Sequence, residues 1–420
     1  MGACCSRRTA ELTGTPTVAV EHGARFPAFR HRNFRLYAVG QLASIGGTWL
    51  QNVALAWLVL EMTDQGWAVG VVSASLFAPS LLFGAWAGAV ADRFDARRTI
   101  IVLQVVLGLQ AVALAALVFA GAEALWSIVL LALWNGVGGT FDRPIRQTLM
   151  NELVGDAELP NAIATNSALV QLGLIVGPAI GAVLINTVGI AWCFAVNAAT
   201  YVVMIVAIWA VRPAEMVQRP RSDGDSATVR AGLVYLRSHR RVTTMLVALA
   251  LASVLAYRIE VLLPLLAKKL GHGSGLFATL TVVRGFGALA ASLFLASRFG
   301  APSVRLFARA LLLMGVSLFG LAVPVTWVAV ASTFPVGVGM MLSMVCTLSL
   351  TQLWAGAEYR GRVVAIWFVV LSAGIVAGSL VVGALADLIG AEETTAIAGV
   401  SLLGLVVYVS RSMSEAVHGS

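Results

Sequence analysis

Charge is the first thing this chain lacks. Asp, Glu, Lys and Arg together make up 11% of its 420 residues, against roughly 25% in soluble proteins. A soluble fold of this size would have too little polar surface to cover itself, which excludes a cytosolic enzyme, a disordered chain and a nucleic-acid-binding domain. Lysine is nearly missing: of 28 basic residues only Lys268 and Lys269 are lysines. The net charge of +8 therefore sits on arginines, most of them in short links between apolar stretches, so no nucleic acid partner is expected. The four cysteines, Cys4, Cys5, Cys193 and Cys346, form no C-x-x-C and no His/Cys cluster, so neither a disulfide framework nor a zinc site is expected. None of the five histidines falls inside an apolar run, which leaves a haem or an intramembrane histidine relay unsupported. No nucleophile–base set, metal cluster or phosphate loop stands out either, so no enzyme, cofactor or metal is expected.

Apolar residues are what the chain has in excess, 59% of the total with a mean hydropathy of +0.89. They fall in twelve runs near 34–60, 67–91, 99–121, 125–150, 161–188, 190–211, 242–267, 274–298, 303–324, 326–353, 361–387 and 391–412. A membrane-spanning helix needs roughly 20 such residues. The expected fold is an all-α membrane protein of twelve transmembrane helices in two six-helix bundles. It divides into an N-terminal tail (1–32), a first bundle (33–211), a linker (212–241), a second bundle (242–412) and a C-terminal tail (413–420). In the linker, Val229, Leu233 and Leu236 with Arg230, Arg237 and Arg240 suggest a basic amphipathic helix on the membrane surface.

Arginines alternate from link to link. Arg25, Arg30 and Arg32 precede the first run, Arg93, Arg97 and Arg98 follow the second, and Arg212, Arg219 and Arg221 lie in the linker. The links near 62–66, 122–124, 188–190 and 388–392 carry no Lys or Arg. Both termini and the linker are thus expected in the cytoplasm. Faint internal matches, such as Val90–Phe94 with Leu295–Phe299, suggest transporter-type repeats. The opening Met1-Gly2-Ala3-Cys4-Cys5-Ser6 fits a myristoylation pattern, but twelve spans leave an acyl chain little to add, and a plain tail is expected.

Two segments suggest moving parts. The link after the second run contains Gly88, Asp92, Arg93, Asp95, Arg97 and Arg98. Gly88 permits close helix packing, and an acid at a helix end can face another helix's positive N-terminus; Asp92 is expected to close a gate against Gly361 and Arg362. The fifth run contains Gly173, Gly177, Pro178 and Gly181, whose small residues four apart allow close helix approach while the proline bends the helix. Asp142 and Arg146, four apart on the fourth run beside Arg143, are expected to pair and to act in gating.

These motifs carry a resemblance. The first resembles the loop signature of the major facilitator superfamily, with Asp95 and Ala96 replacing its usual Gly and Arg. The second resembles the Gly-Pro motif of that superfamily's exporter branches. Phe29–Tyr37, Gln41, Trp49–Asn52, Phe141–Gln147, Leu159–Ala162, Arg360–Arg362 and Gly383–Asp387 are similar to the enterobactin-exporter-like family, also called transmembrane secretion effectors. Leu174 and Ser297 depart from that pattern. The resemblance implies a multi-pass protein of the bacterial cytoplasmic (inner) membrane. It would export a small organic molecule, such as a siderophore, drug or secondary metabolite, by alternating access and proton-coupled antiport. An importer or facilitator on the same fold, or a non-transporting sensor or assembly factor, are the alternatives.

Ionisable residues deep in a membrane are costly and point to function. Glu260 and Arg258 on the seventh run and Arg284 on the eighth are the candidates for substrate or proton handling. Glu260 lies roughly 10 Å inside its end of the run and Arg284 roughly 15 Å inside, at 1.5 Å per residue. Arg258 and Glu260, two apart, are expected on different faces of one helix. In the first half, Gln51, Asn52, Asn135 and Gln171, with nearby tryptophans, are expected to line a cavity suited to a largely apolar molecule. The partners expected are that small molecule, protons and the lipid bilayer.

Overall fold

The structure, a computed structural model, describes residues 27–217, 239–296, 302–356 and 359–418, and among these the regular structure is helical with no strand. The helices are α1 (Arg32–Thr63), α2 (Gly66–Arg93), α3 (Ala96–Phe119), α4 (125–154), α5 (Glu158–Thr187), α6 (Ala191–Trp209), α7 (Arg240–Lys269), α8 (Gly273–Ala296), α9 (Val304–Ala322), α10 (Thr326–Trp354), α11 (Arg360–Ile389) and α12 (Ala391–His418). Among the described residues eleven helices are long and apolar enough to cross a membrane. The twelfth, α4, is diluted by Asn135, Asp142, Arg143 and Arg146 in its body. Exposed tryptophans stand at helix ends: Trp126, Trp192, Trp209 and Trp327. That is where amphipathic indole rings meet the headgroup region. The chain is a multi-pass membrane protein.

Two breaks shape the fold. α4 and α5 form one run, Leu125–Thr187, interrupted at Gly155, whose φ of 70° places it where a side chain would be strained. α7 was expected as one unbroken span; instead Arg240–Leu255 ends, residues 256–258 turn, and Ile259–Lys269 resumes. The expected amphipathic helix near 229–240, the myristoylation pattern and Ser297 lie outside the described residues.

The two halves meet along α2–α11 and α5–α8. At one end they are tied. Asp387 of α11 accepts hydrogen bonds from the backbone of Gly66 (2.6 Å) and Trp67 (2.8 Å) at the start of α2. Lys268 pairs with Asp64 (2.7 Å), and Ser274 donates to Asn186 (3.1 Å). Backbones nearly touch there: a Cβ on Gly383 would lie 2.6 Å from the Gly66 carbonyl, and one on Gly70 would run into the Ser379 carbonyl. At the opposite, arginine-bearing end, Cβ atoms on Gly84, Gly88 and Gly361 would meet nothing within 4 Å. The halves are tied together at one end, and at the other these three glycines have open space around them.

Candidate functional site

The break in α7 creates the site. Because residues 256–258 are not helical, Arg258 and Glu260 do not diverge onto separate faces as a continuous helix would force. Arg258 Nη1 lies 3.4 Å from Glu260 Oε2, and Arg284 Nη2 of α8 lies 2.8 Å from Glu260 Oε1. The expectation of separate faces is corrected: one carboxylate is held between two buried guanidiniums. Arg258 also donates to Ser73 Oγ across the halves, and its guanidinium sits 5.4 Å above the Phe77 ring. The Nε atoms of Arg258 and Arg284 are buried with no hydrogen-bond partner among the described residues.

Glu260 and Arg284 face a cavity between the halves. Its walls come from α1 (Trp49, Asn52, Ala56), α2 (Ser73, Phe77), α7 and α8 (Phe277, Thr281). At the tied end Trp57 of α1 stacks on Phe277 of α8, ring centroids 6.1 Å apart. The cavity holds about 70 Å³, where sites for small organic molecules run to roughly 300–1,000 Å³.

The other candidate residues separate from this cavity, apart from Asn52. Gln51 is buried inside the first half, where it donates to Gln110 (3.3 Å) and accepts from Asn197 (2.8 Å). Asn135 donates to the same Gln110 oxygen (3.3 Å). Such a network pairs several polar groups that membrane depth would leave unpaired, while Gln110 Nε2 is buried without a partner among the described residues. Gln171 Nε2 is buried without a partner among the described residues. Asp142 and Arg146 form an ion pair at 2.5 Å. Around it, Gln104 donates to Asp142 (2.7 Å), and Arg146 donates to Gln41 and to Ser44 (3.0 Å). This cluster knits α1, α3 and α4 within one half rather than bridging a gate; Arg143 beside it is exposed.

The expected moving parts are also differently placed. Gly173, Gly177 and Gly181 press α5 against α1 of the same half. A Cβ on Gly177 would strike the Gly46 carbonyl and lie 2.8 Å from Trp49 Cβ, and one on Gly181 would lie 3.2 Å from Leu50 Cδ1. The cross-half contact of α5 is made by its next face, where Leu174 and Ile175 meet Gly285 of α8. Pro178 lies within the helix. Arg97 caps the carbonyls of Ile208 (3.1 Å) and Trp209 (2.7 Å) at the end of α6, inside its own half. Arg93 and Arg98 are exposed, and Arg362 lies 5.2 Å over Tyr359 of its own helix end. The Asp92 side chain lies outside the described residues, and a Cβ on Gly88 or Gly361 would meet nothing within 4 Å.

Three residues, Asp95, Asp387 and Phe277, have roles in the fold that their sequence context did not assign them. Asp95 accepts from the Arg98 amide (2.8 Å) and caps α3, which an Asp just before an apolar run could have signalled. Asp387 had appeared only as part of a resemblance. Phe277, one apolar residue among many, carried no signal.

A sequence profile for transmembrane secretion effectors matches residues 23–417. The chain belongs to this family. Its relatives among characterised proteins include a staphyloferrin A transporter from Staphylococcus aureus, 21% identical over 396 residues that cover 89% of this chain and 96% of that protein. An enterobactin exporter from Shigella flexneri is 29% identical over 177 residues, 42% of this chain and 43% of that protein. The fold of this secretion effector matches the POT family transporter PepTSo with a TM-score of 0.72 at 11% identity, covering 91% and 98% of the two chains. The protein is a transporter of the major facilitator fold, not an enzyme.

Proposed function

We propose that this secretion effector exports a small organic molecule, a siderophore, drug or secondary metabolite, by alternating access coupled to proton entry. The observation that carries the reading is the cavity: it lies between the halves, takes walls from both, and the halves around it are tied together at one end. Rocking of one six-helix bundle (33–211) against the other (242–412), linked by 212–241, would open it alternately to each side. The arginine-bearing end is the cytoplasmic one by the positive-inside rule, with both termini there, in the inner membrane of a bacterium. The conformation is then inward-open. The named relatives, a staphyloferrin A transporter and an enterobactin exporter, support a siderophore-like guest.

Proton coupling would run through Glu260. Its carboxylate is shared by Arg258 and Arg284 of its own half, and rocking would withdraw the first half's Ser73 and Phe77 from Arg258, changing how that arginine shares the carboxylate and letting the acid exchange a proton in the other state. The alternative role for the same three residues is a permanent brace. Purified protein in liposomes separates them: Glu260→Gln is expected to lose pH-gradient-driven transport and to keep substrate exchange. Gradient-driven transport that survives in Glu260→Gln would overturn the coupling. The direction is tested by overexpression against a panel of toxic compounds: export predicts raised resistance, import predicts sensitisation, and no effect on any compound favours a non-transporting role.

A further inference from the structure

The closed end is held by an acid that caps a helix of the opposite half. Asp387, in the last turn of α11, places one carboxylate oxygen on the Gly66 amide and the other on the Trp67 amide, the first two residues of α2. Amides of a helix's first turn have no partner within the helix, and the helix dipole favours a negative charge there. The Lys268–Asp64 pair nearby is largely exposed and contributes little. Glycine makes the cap possible: Gly66 and Gly383 approach backbone to backbone, and side chains on either would hold the helices apart.

The segment that ends in this acid is Gly383-Ala-Leu-Ala-Asp387. The same pattern, Gly88-Ala-Val-Ala-Asp92, ends α2 at the opposite, open end of the molecule. α2 and α11 pack along each other, so each helix carries an acid in its last turn at the end where its partner begins. We infer that Asp387 is the latch of the end closed here, and that it works as the reciprocal of Asp92. Asp387 caps α2 when this end is shut, and Asp92 caps the start of α11 when the other end is shut. The two caps cannot be made together by rigid halves, because closing one end separates the other. Each latch therefore stabilises one state of the cycle, and their balance sets how the protein divides between the two.

The test is a distance, measured without any transported compound, so it stands or falls separately from the transport reading. Spin labels are placed on Ala122→Cys and Val325→Cys, exposed positions of opposite halves at the closed end, with Cys4 and Cys5 replaced by serine and the protein in lipid nanodiscs. Asp387→Asn is expected to raise the population with long label separation at least about five-fold. Trp67→Pro removes one capped amide while leaving the acid in place, at a position in the first turn where proline is tolerated; it should shift the population the same way. Adding Asp92→Asn to Asp387→Asn should return the distribution toward that of the parent. An unchanged distribution in both Asp387→Asn and Trp67→Pro would overturn the latch. A further lengthening when Asp92→Asn is added would overturn its reciprocity.

Discussion

Arg146 has 7% of its surface exposed, the Asp142 side chain 15%, and Gln41, Ser44 and Gln104, which hydrogen-bond to them, belong to the same half. Removing one partner of a buried ion pair strands the other charge, so Arg146→Met should cost about 3–5 kcal/mol of stability. The double variant with Asp142→Asn should recover part of that loss, because no charge is left unpaired. Thermal unfolding in detergent checks both. Their pairing was legible from the i,i+4 spacing, which a helix converts directly into proximity. Their surroundings were not: Gln41, Ser44 and Gln104 come from other helices, and no local pattern relates them to residue 146. The Arg258–Glu260–Arg284 group illustrates the opposite failure. The right residues stood out, since charge within an apolar run is rare and costly, yet helical spacing assigned them the wrong geometry. The rule holds only where the helix is continuous, and α7 turns at 256–258.

Helices impose their own tests. Along α5 the glycine stripe faces α1, and a side chain at 177 would collide with the backbone at Gly46 and with Trp49. Gly177→Leu should therefore separate two helices of one half and lower the unfolding temperature together with transport; a normally stable, normally active variant would contradict the close packing. Gly181→Ala, with 3.2 Å to a flexible leucine tip, should be much milder. At the α4–α5 break, Gly155→Ala puts a Cβ on a residue with φ of 70° and ψ of −180°, a region open essentially to glycine alone, and should cost about 1–3 kcal/mol. Element existence was readable because a bilayer demands long apolar runs and leaves the backbone few options. The breaks were harder. Gly155 is one of 41 glycines, and nothing in its neighbours marks it as the one that leaves the helix.

Across the whole molecule, closure at one end depends on backbones meeting without side chains between them. Gly70→Val would set a branched side chain against the Ser379 carbonyl. It should hold that end apart and reduce transport more than about ten-fold with normal membrane insertion, visible as a lengthened Ala122–Val325 label distance. Gly84→Val, at the open end, should leave this conformation unchanged. Composition and arginine placement alone determined that the chain spans a membrane many times, because burying 59% apolar residues in water-free surroundings admits little else. Motifs at fixed spacings were enough to indicate the family. Only the tertiary structure decided which helix each glycine faces, that Glu260 sits between two arginines, and that Asp387 reaches the start of α2 from 320 positions away. Those relations join residues far apart in the chain. They arise from how helices are rotated and offset against one another, which the periodicity of a single helix does not encode.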